Sequence, residues 1–400
     1  FLLRRQALYP LSYGRGGFYC TLPVGVFKAY NRGMSPSALP QIRRRRTRTV
    51  DVGGVALGGE APVRVQSMTT TRTADAVATL SQVRELSGAG AELVRVAVPT
   101  RDDTAALGEI VAGSPVPIIA DVHFHFDRAL EAIDASAAKI RLNPGNISDR
   151  RQVRQVIAAA RDAGASVRVG VNEGSVVDRR DPRSAATQRR TPLVDLMVDK
   201  LAESLEPFAE AGFEKLVLSA KSHDALTTIA VNRRLAERWD WPLHLGVTHA
   251  GPRETAIVRS AAAIGALLAD GIGDTIRLSY AGDPVAEVRD AVELLASLRL
   301  RKRPGVELIA CPQCGRLQMD VAPVVQHLRE ALAGVATPLT VAVMGCVVNG
   351  PGEAEGADVA VCCGRDRAML YRRGQKVRTL DAEEIVDAVL AEVRGLTDAP

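Results

Sequence analysis

Residues 117–143, PIIADVHFHFDRALEAIDASAAKIRLN, decide the fold. A short run rich in β-branched residues, PIIADV, gives way to the amphipathic stretch DRALEAIDASAA and then to a second such run, KIRLN from Lys139. Strand-sized runs separated by about 10–15 helical residues mark a βα unit of a parallel sheet. The unit recurs on both sides. Upstream lie VRVQSM from Val63 and LVRVAV from Leu93; downstream lie VRVGVN from Val167, KLVLSA from Lys215, LHLGVT from Leu243 and TIRLSY from Thr275. Several of the intervening amphipathic stretches end at Gly, as a helix C-terminus should. Eight strands alternating with eight helices predict an α/β fold, a (β/α)8 TIM-type barrel over residues 41–300. An open doubly wound sheet is the alternative, weakened because no G-x-G-x-x-G follows any strand. Near RKRPG, Arg301–Gly305, the rhythm breaks. Strand-like VELIAC, LTVAVMGCVV, DVAVCC and AMLYRRGQKV, with helical segments around 321–334 and 381–394, predict a smaller α+β domain over 301–400.

The bulk composition bounds the function. Hydrophobic residues at 46% and charged residues at 24% are ordinary for a soluble globular chain with a sizeable core. No apolar run is long enough to span a membrane, so no membrane partner is expected. The net charge of +5 suits small anions as well as nucleic acid, but 4% aromatics argue against a stacking platform for single strands. Residues 1–40 show neither strand nor helix periodicity and are expected to be a disordered or mis-called extension, with Met34 the natural start. The run Arg43–Arg46 is expected to be solvated rather than a nucleic-acid arm. Five of the six cysteines cluster toward the C-terminus, with Cys20 apart. In a chain with no secretory signal such thiols read as metal or redox groups, and a cytoplasmic location is expected.

In a barrel the chemistry sits at the C-terminal ends of the strands. Those ends carry Arg72, Asp121 and His123, Arg141 with Asn143 and Asn146, Arg168 and Asn172, Lys221, His249, and Arg277 with Ser279. Arg72, Arg141, Arg168, Lys221 and Arg277 would bring five positive charges to one rim, where mutual repulsion calls for an anionic ligand. Bidentate guanidinium forks suit phosphate, so a phosphorylated, diphosphate-bearing small molecule is expected. Asp121, His123 and His249 are the candidates for proton transfer among them.

ACPQCGR, Ala310–Arg316, and GCVVNGPGEAEG, Gly345–Gly356, supply the thiols Cys311, Cys314 and Cys346. Zinc remains open but would favour a second C-x2-C pair, and a redox dithiol lacks its βαβ context. A 4Fe-4S cluster needs four ligands. Three thiolates leave one iron for a harder, displaceable ligand, and Glu353 lies just beyond a Gly-Pro-Gly turn. Such an iron suits reductive removal of a hydroxyl or opening of an ether-like bond, which makes Glu353 a candidate in catalysis as well as in ligation.

The motifs VQSMTTTRTAD, VRVAVPT, ADVHF, RLNPGN, RVGVN, LHLGVT, GIGDTIRLS, ACPQCGR and MGCVVNGPGEA together resemble the 4-hydroxy-3-methylbut-2-enyl diphosphate synthase family over roughly residues 45–355. The resemblance implies a (β/α)8 barrel with a C-terminal 4Fe-4S domain, acting as a homodimer. It implies conversion of 2-C-methyl-D-erythritol 2,4-cyclodiphosphate to 4-hydroxy-3-methylbut-2-enyl diphosphate, an oxidoreductase step of the methylerythritol phosphate route to isoprenoids, with electrons from flavodoxin or ferredoxin. By matching motif, Cys311, Cys314, Cys346 and Glu353 would hold the cluster. Arg72, Arg141, Arg168, Asn172, Lys221, Arg277 and Ser279 would hold the substrate. The chain departs from the family pattern at His249, at Glu173 in VNEGS, in SAKSHD after strand six, and at Cys362 and Cys363. An edited substrate rim with intact cluster motifs is also compatible with a paralogous reductive dehydratase. A non-catalytic iron–sulfur sensor is the alternative of another class; it would need a basic outer face for nucleic acid, and none is expected.

Overall fold

The computed structural model describes residues 41–122, 125–142, 149–176, 191–248, 250–346 and 350–398, with the backbone alone at Pro351 and Glu353. The extension with Met34, Asn143 and Asn146, and His123 and His249 lie outside the described residues. After an antiparallel hairpin, β1 (Val50–Val52) and β2 (Val55–Leu57), come eight strands: β3 (Arg64–Met68), β4 (Leu93–Ala97), β5 (Ile118–Val122), β6 (Lys139–Leu142), β7 (Ser166–Asn172), β8 (Leu216–Lys221), β9 (His244–Leu245) and β10 (Thr275–Ile276). All are parallel, in the order β8-β7-β6-β5-β4-β3-β10-β9. A bridge between Leu218 and Leu243 joins the two ends of that order and closes the barrel. Each strand is followed by a helix: α1 (Ala76–Gly88), α2 (Arg101–Gly113), α3 (Phe126–Asp134), α4 (Arg150–Asp162), α5 (Leu193–Glu210), α6 (Ala225–Arg238), α7 (Arg253–Ala269) and α8 (Pro284–Ser297).

Strand parity separates two environments, because successive side chains point to opposite faces. Val94, Val96, Ile118, Ala120, Ile140, Val167, Val169, Leu216 and Leu218 face outward and form the main core with the helices. Leu93, Ile119 and Val217 face inward and pack instead against Val50, Val52 and Leu57, so the hairpin plugs the N-terminal end of the barrel. The hairpin was not legible in the sequence. Above this plug the interior is polar, where a barrel of this kind ordinarily stacks Val, Ile and Leu. The basic run contributes to the same end. Arg44 pairs with Asp274 at 2.6 Å, and Arg45 donates to the main-chain oxygens of Trp239 at 2.7 Å and Trp241 at 2.6 Å. These two arginines are partly buried fasteners of the fold rather than the solvated residues expected, because burial without such partners would be too costly.

The C-terminal sheet has the order β11 (Val306–Ala310), β12 (Leu339–Met344), β13 (Val359–Cys363), β14 (Arg367–Arg372), β15 (Gln375–Asp381). The first three strands are parallel and the last two antiparallel. The expected single strand AMLYRRGQKV is two: the chain turns at Arg373–Gly374, where both φ angles are positive, as a tight hairpin turn requires. Helices α9 (Ala322–Ala331) and α11 (Ile385–Thr397) cover one face through Leu328, Ile385 and Val389. The short α10 (Gly350–Glu353) precedes Ala354 and Ala357, which pack with Ala342, Met344 and Cys362 on the other face.

Candidate active site

Two layers of charge fill the barrel. On β4, β6 and β7 the inward positions are Arg95, Lys139, Arg141 and Arg168, all buried. Lys221 ends β8 and Arg277 follows β10, both half-buried. Opposing these six cations are Asp121 on β5 and Glu287 on α8. Asp121 lies 3.1 Å from Arg141 Nη1 and 3.5 Å from Arg95 Nε, and Glu287 lies 3.3 Å from Arg277 Nη2. Two carboxylates against six cations leave a formal excess of four positive charges among the described residues.

The excess is costly where it stands. Lys139 Nζ, Arg168 Nε and Nη1, and both ring nitrogens of His244 are buried without a hydrogen-bond partner. Desolvation, reinforced by Arg168 and Arg95, pulls the Lys139 and Lys221 ammonium groups well below their usual range. Desolvation and then Arg95 bring Arg277 down to about 10, although Glu287 and Asp121 pull upward. Desolvation, then Lys221 and Arg168, hold His244 well below the usual imidazole value, so it is neutral. The main chain is shaped for this crowding. A Cβ on Gly246 would stand 2.6 Å from Lys221 Nζ and 2.9 Å from the Arg277 carbonyl oxygen. An interior with donors in excess of acceptors is a receptor for an anion with many acceptor oxygens.

The remaining rim residues are placed by loop contacts. Arg72 is exposed; its carbonyl accepts from Asp75 N and Thr79 Oγ1, while Asp103 binds Ala74 N at 2.9 Å. Asn172, the last residue of β7, is in register with Lys221. Ser279 is half-buried two residues beyond Arg277. Asp121, read from the sequence as a proton carrier, sits among the cations as their carboxylate partner. Arg95, Lys139, His244 and Glu287 were missed by the strand-end reading. The signal for the first three was parity: Lys139 precedes Arg141 by two, and Arg95 and His244 occupy inward positions on their own strands.

Two of the thiols lie just beyond the ends of neighbouring strands of the C-terminal sheet. Cys311 follows β11 and its N–H bonds to Val343 O at 2.9 Å, while Cys346 lies two residues beyond β12. These strands are neighbours and parallel, so both thiols leave the sheet at the same end. The backbone of Gly345 passes close: a Cβ there would meet Leu317 Cδ1 at 2.5 Å and Cys311 Sγ at 3.7 Å. Cys314 is exposed, and hydrogen bonds from the Arg316 main chain and side chain hold its thiol below the usual range, favouring the thiolate that binds metals. Glu353 closes α10 after the Gly-Pro-Gly segment. Cys362 and Cys363 are buried on opposite faces of β13 and form no disulfide. Burial first raises their thiols to about 12 and about 11, which favours the protonated form. Among the described residues no three His, Cys, Asp or Glu side chains are gathered so as to hold a metal ion. The donor chemistry nevertheless fits an iron–sulfur group: two thiols at the same end of neighbouring strands and a third biased to thiolate.

A closed barrel with a cationic interior, joined to a sheet edge bearing three thiols, defines a barrel enzyme of phosphorylated substrates with an appended metal-binding or redox domain. Comparison with known proteins makes this specific. The GcpE TIM-barrel domain matches residues 47–292 and the GcpE protein C-terminal domain matches residues 307–395. The chain is 44% identical to a protein of Aquifex aeolicus named 4-hydroxy-3-methylbut-2-en-1-yl diphosphate synthase (flavodoxin), over 89% of this chain and 98% of that one. It is 44% identical to the Geobacter sulfurreducens protein of the same name, over 88% and 98% of the two chains, and 45% identical to that of Tropheryma whipplei, over 90% and 94%. The chain belongs to the GcpE family.

Proposed function

We propose that the chain is an oxidoreductase that converts 2-C-methyl-D-erythritol 2,4-cyclodiphosphate to 4-hydroxy-3-methylbut-2-enyl diphosphate, by two-electron reductive ring opening with loss of water. Flavodoxin, which forms part of the relatives' names, is the expected electron donor, with ferredoxin as the alternative. The observation that carries the reading is the excess of buried cations in the barrel, which a diphosphate would neutralise.

In this reading Arg141, Arg168, Lys221 and Arg277 grip the diphosphate, with Arg72, Asn172 and Ser279 completing the cradle. Asp121 keeps Arg141 and Arg95 aimed by sharing its two oxygens between them. A low-dielectric interior strengthens each of these contacts and fixes the ring at one end, so bond breaking is confined to the part left exposed. His123 and His249, which follow β5 and β9 in the sequence, are assigned to proton supply. Cys311, Cys314, Cys346 and Glu353 would hold a 4Fe-4S cluster. When bound, that cluster would supply single electrons and an iron whose carboxylate ligand a substrate oxygen could displace. A homodimer in the cytoplasm completes the reading; no described helix is long and apolar enough to cross a membrane.

The test is anaerobic reconstitution to about four iron and four sulfide per chain. The cyclic diphosphate is then added with reduced flavodoxin, and the allylic diphosphate is sought by mass spectrometry. Product is expected; a loaded cluster without product would refute the proposed substrate.

A further inference from the structure

Two separate departures in the sequence meet in the fold. Asn172 and Lys221 are register partners at the C-terminal ends of β7 and β8, so the residues after them leave the barrel side by side. Glu173 opens a single 3-10 turn there. Its Oε2 accepts from Ser222 Oγ at 2.6 Å and from His223 N at 3.4 Å, and lies 2.8 Å from His223 Nδ1. Ser222 is fully buried and fixed in turn: its Oγ accepts from Asp224 N at 3.0 Å, and its N–H donates to Thr228 Oγ1 at 3.3 Å. Asp224 caps α6 through Thr227 N at 2.7 Å. Partial burial favours the protonated Glu173 carboxyl, but the hydrogen bonds from Ser222 and His223 outweigh it and keep the carboxylate ionised.

An ionised acceptor at Nδ1 selects the tautomer. The neutral ring carries its proton on Nδ1, which leaves Nε2 as a lone-pair acceptor. The His223 side chain is 61% exposed while Glu173 is 27% exposed, so the ring is anchored on its inner side and presented on its outer side. A brace between the two loops has no need of this imidazole, because Ser222 Oγ and the His223 main chain already hold Oε2. An exposed histidine–carboxylate contact also contributes little stability. His223 lies two residues past Lys221, on the segment that leaves the C-terminal end of β8, and the barrel interior below that end supplies donors in excess and few acceptors.

We propose that His223, oriented by Glu173, is a further specificity-determining residue of this site: its Nε2 accepts a hydrogen bond from a hydroxyl of the polyol part of the substrate, while the cations below hold the phosphates. This rests on the reaction proposed above and names how the hydroxyl-bearing end is read. A site built to pair with a hydroxyl discriminates against ligands that lack one.

The test uses the reconstituted full chain. KM and kcat are measured for the cyclic diphosphate, and calorimetry gives the Kd of inorganic pyrophosphate, which has no polyol hydroxyl. His223→Ala is expected to raise KM about fivefold to tenfold, the worth of one hydrogen bond. Its kcat should fall by less, and pyrophosphate binding should hold. His223→Gln, which keeps an acceptor, should recover part of the loss. Glu173→Ala should raise KM as well, and the double variant should match His223→Ala, because the carboxylate acts through the ring. A KM for His223→Ala within about twofold of the parent, or an equal loss of pyrophosphate affinity, overturns the inference. Absence of turnover by the parent chain brings down the proposed reaction and this inference together, whereas parent turnover with an unmoved KM overturns the inference alone.

Discussion

In the barrel the deepest site residues ride on strands, whereas in the C-terminal domain the thiols lie just beyond strand ends. Arg95, Lys139, Arg141 and Arg168 are fixed by the sheet and buried before any ligand arrives. Cys311, Cys314 and Cys346 sit in irregular segments and are not drawn together among the described residues. The barrel thus holds like charges close together at the expense of stability, and an anion releases that strain. The thiols carry no such stored repulsion, and it is the bound group that would organise them. One half of the site is preformed and strained; the other is completed by its occupant.

The difference is tested most severely by removing one thiol. Cys346→Ala is expected to end iron loading and turnover. Because the two sheets have separate cores, pyrophosphate binding should stay within about twofold, as for distant independent sites. Iron analysis and calorimetry on the same preparation check both. Loss of pyrophosphate binding along with the iron would show that the halves are not independent.

The reverse experiment addresses the strained half. Arg168 is 2% exposed and has two guanidinium nitrogens without partners. Arg168→Met keeps length and removes charge. Substrate affinity should fall by about 30-fold or more, as when a buried charged partner is truncated. The free protein should become more stable, by about 1–4 kcal/mol if the site behaves like other buried charges replaced by apolar side chains. Denaturant unfolding with and without pyrophosphate separates the two effects. A destabilised free protein would mean that Arg168 is paid for by contacts other than a ligand.

What the sequence disclosed follows the same division. The eight strands of the barrel were legible because both their faces had to be non-random: outward Val, Ile and Leu against helices, and cations recurring at strand ends. The β1–β2 hairpin was not, since strands of three residues are too short for periodicity to register. Arg95, Lys139 and His244 lay one step deeper than the ends that were searched. The β14–β15 hairpin was hidden because Arg373 adopts a positive φ that only Gly374 beside it advertises. The thiol positions were legible from spacing alone, but the contact of Glu173 with His223 joins residues fifty apart and depends on the register of β7 with β8.

A smaller effect probes the shape of the preformed half. Gly246→Ala puts a methyl 2.6 Å from Lys221 Nζ and 2.9 Å from the Arg277 carbonyl oxygen, too close to both, although no positive φ requires glycine there. Lys221 must move away from the other cations, so substrate affinity should drop about tenfold, in line with one displaced charge-assisted hydrogen bond. An unchanged KM would show that Lys221 reaches its ligand from elsewhere.

The smallest effect is the pH dependence of the empty barrel. Lys139 and Lys221 have folded-state values well below the ordinary 10.5 of the unfolded chain, from desolvation first and then from Arg168 and Arg95. Between the folded and unfolded values the unfolded chain binds more protons, so stability must rise with pH across that window and level off above it. Diphosphate reverses the sign of the local field. With the anion bound the lysines keep their protons, and the same titration should flatten. Thermal midpoints measured upward from neutral pH, with and without saturating pyrophosphate, give the two slopes directly. Equal slopes would place the lysines outside the anion's reach, and the excess charge of the interior would then need another occupant.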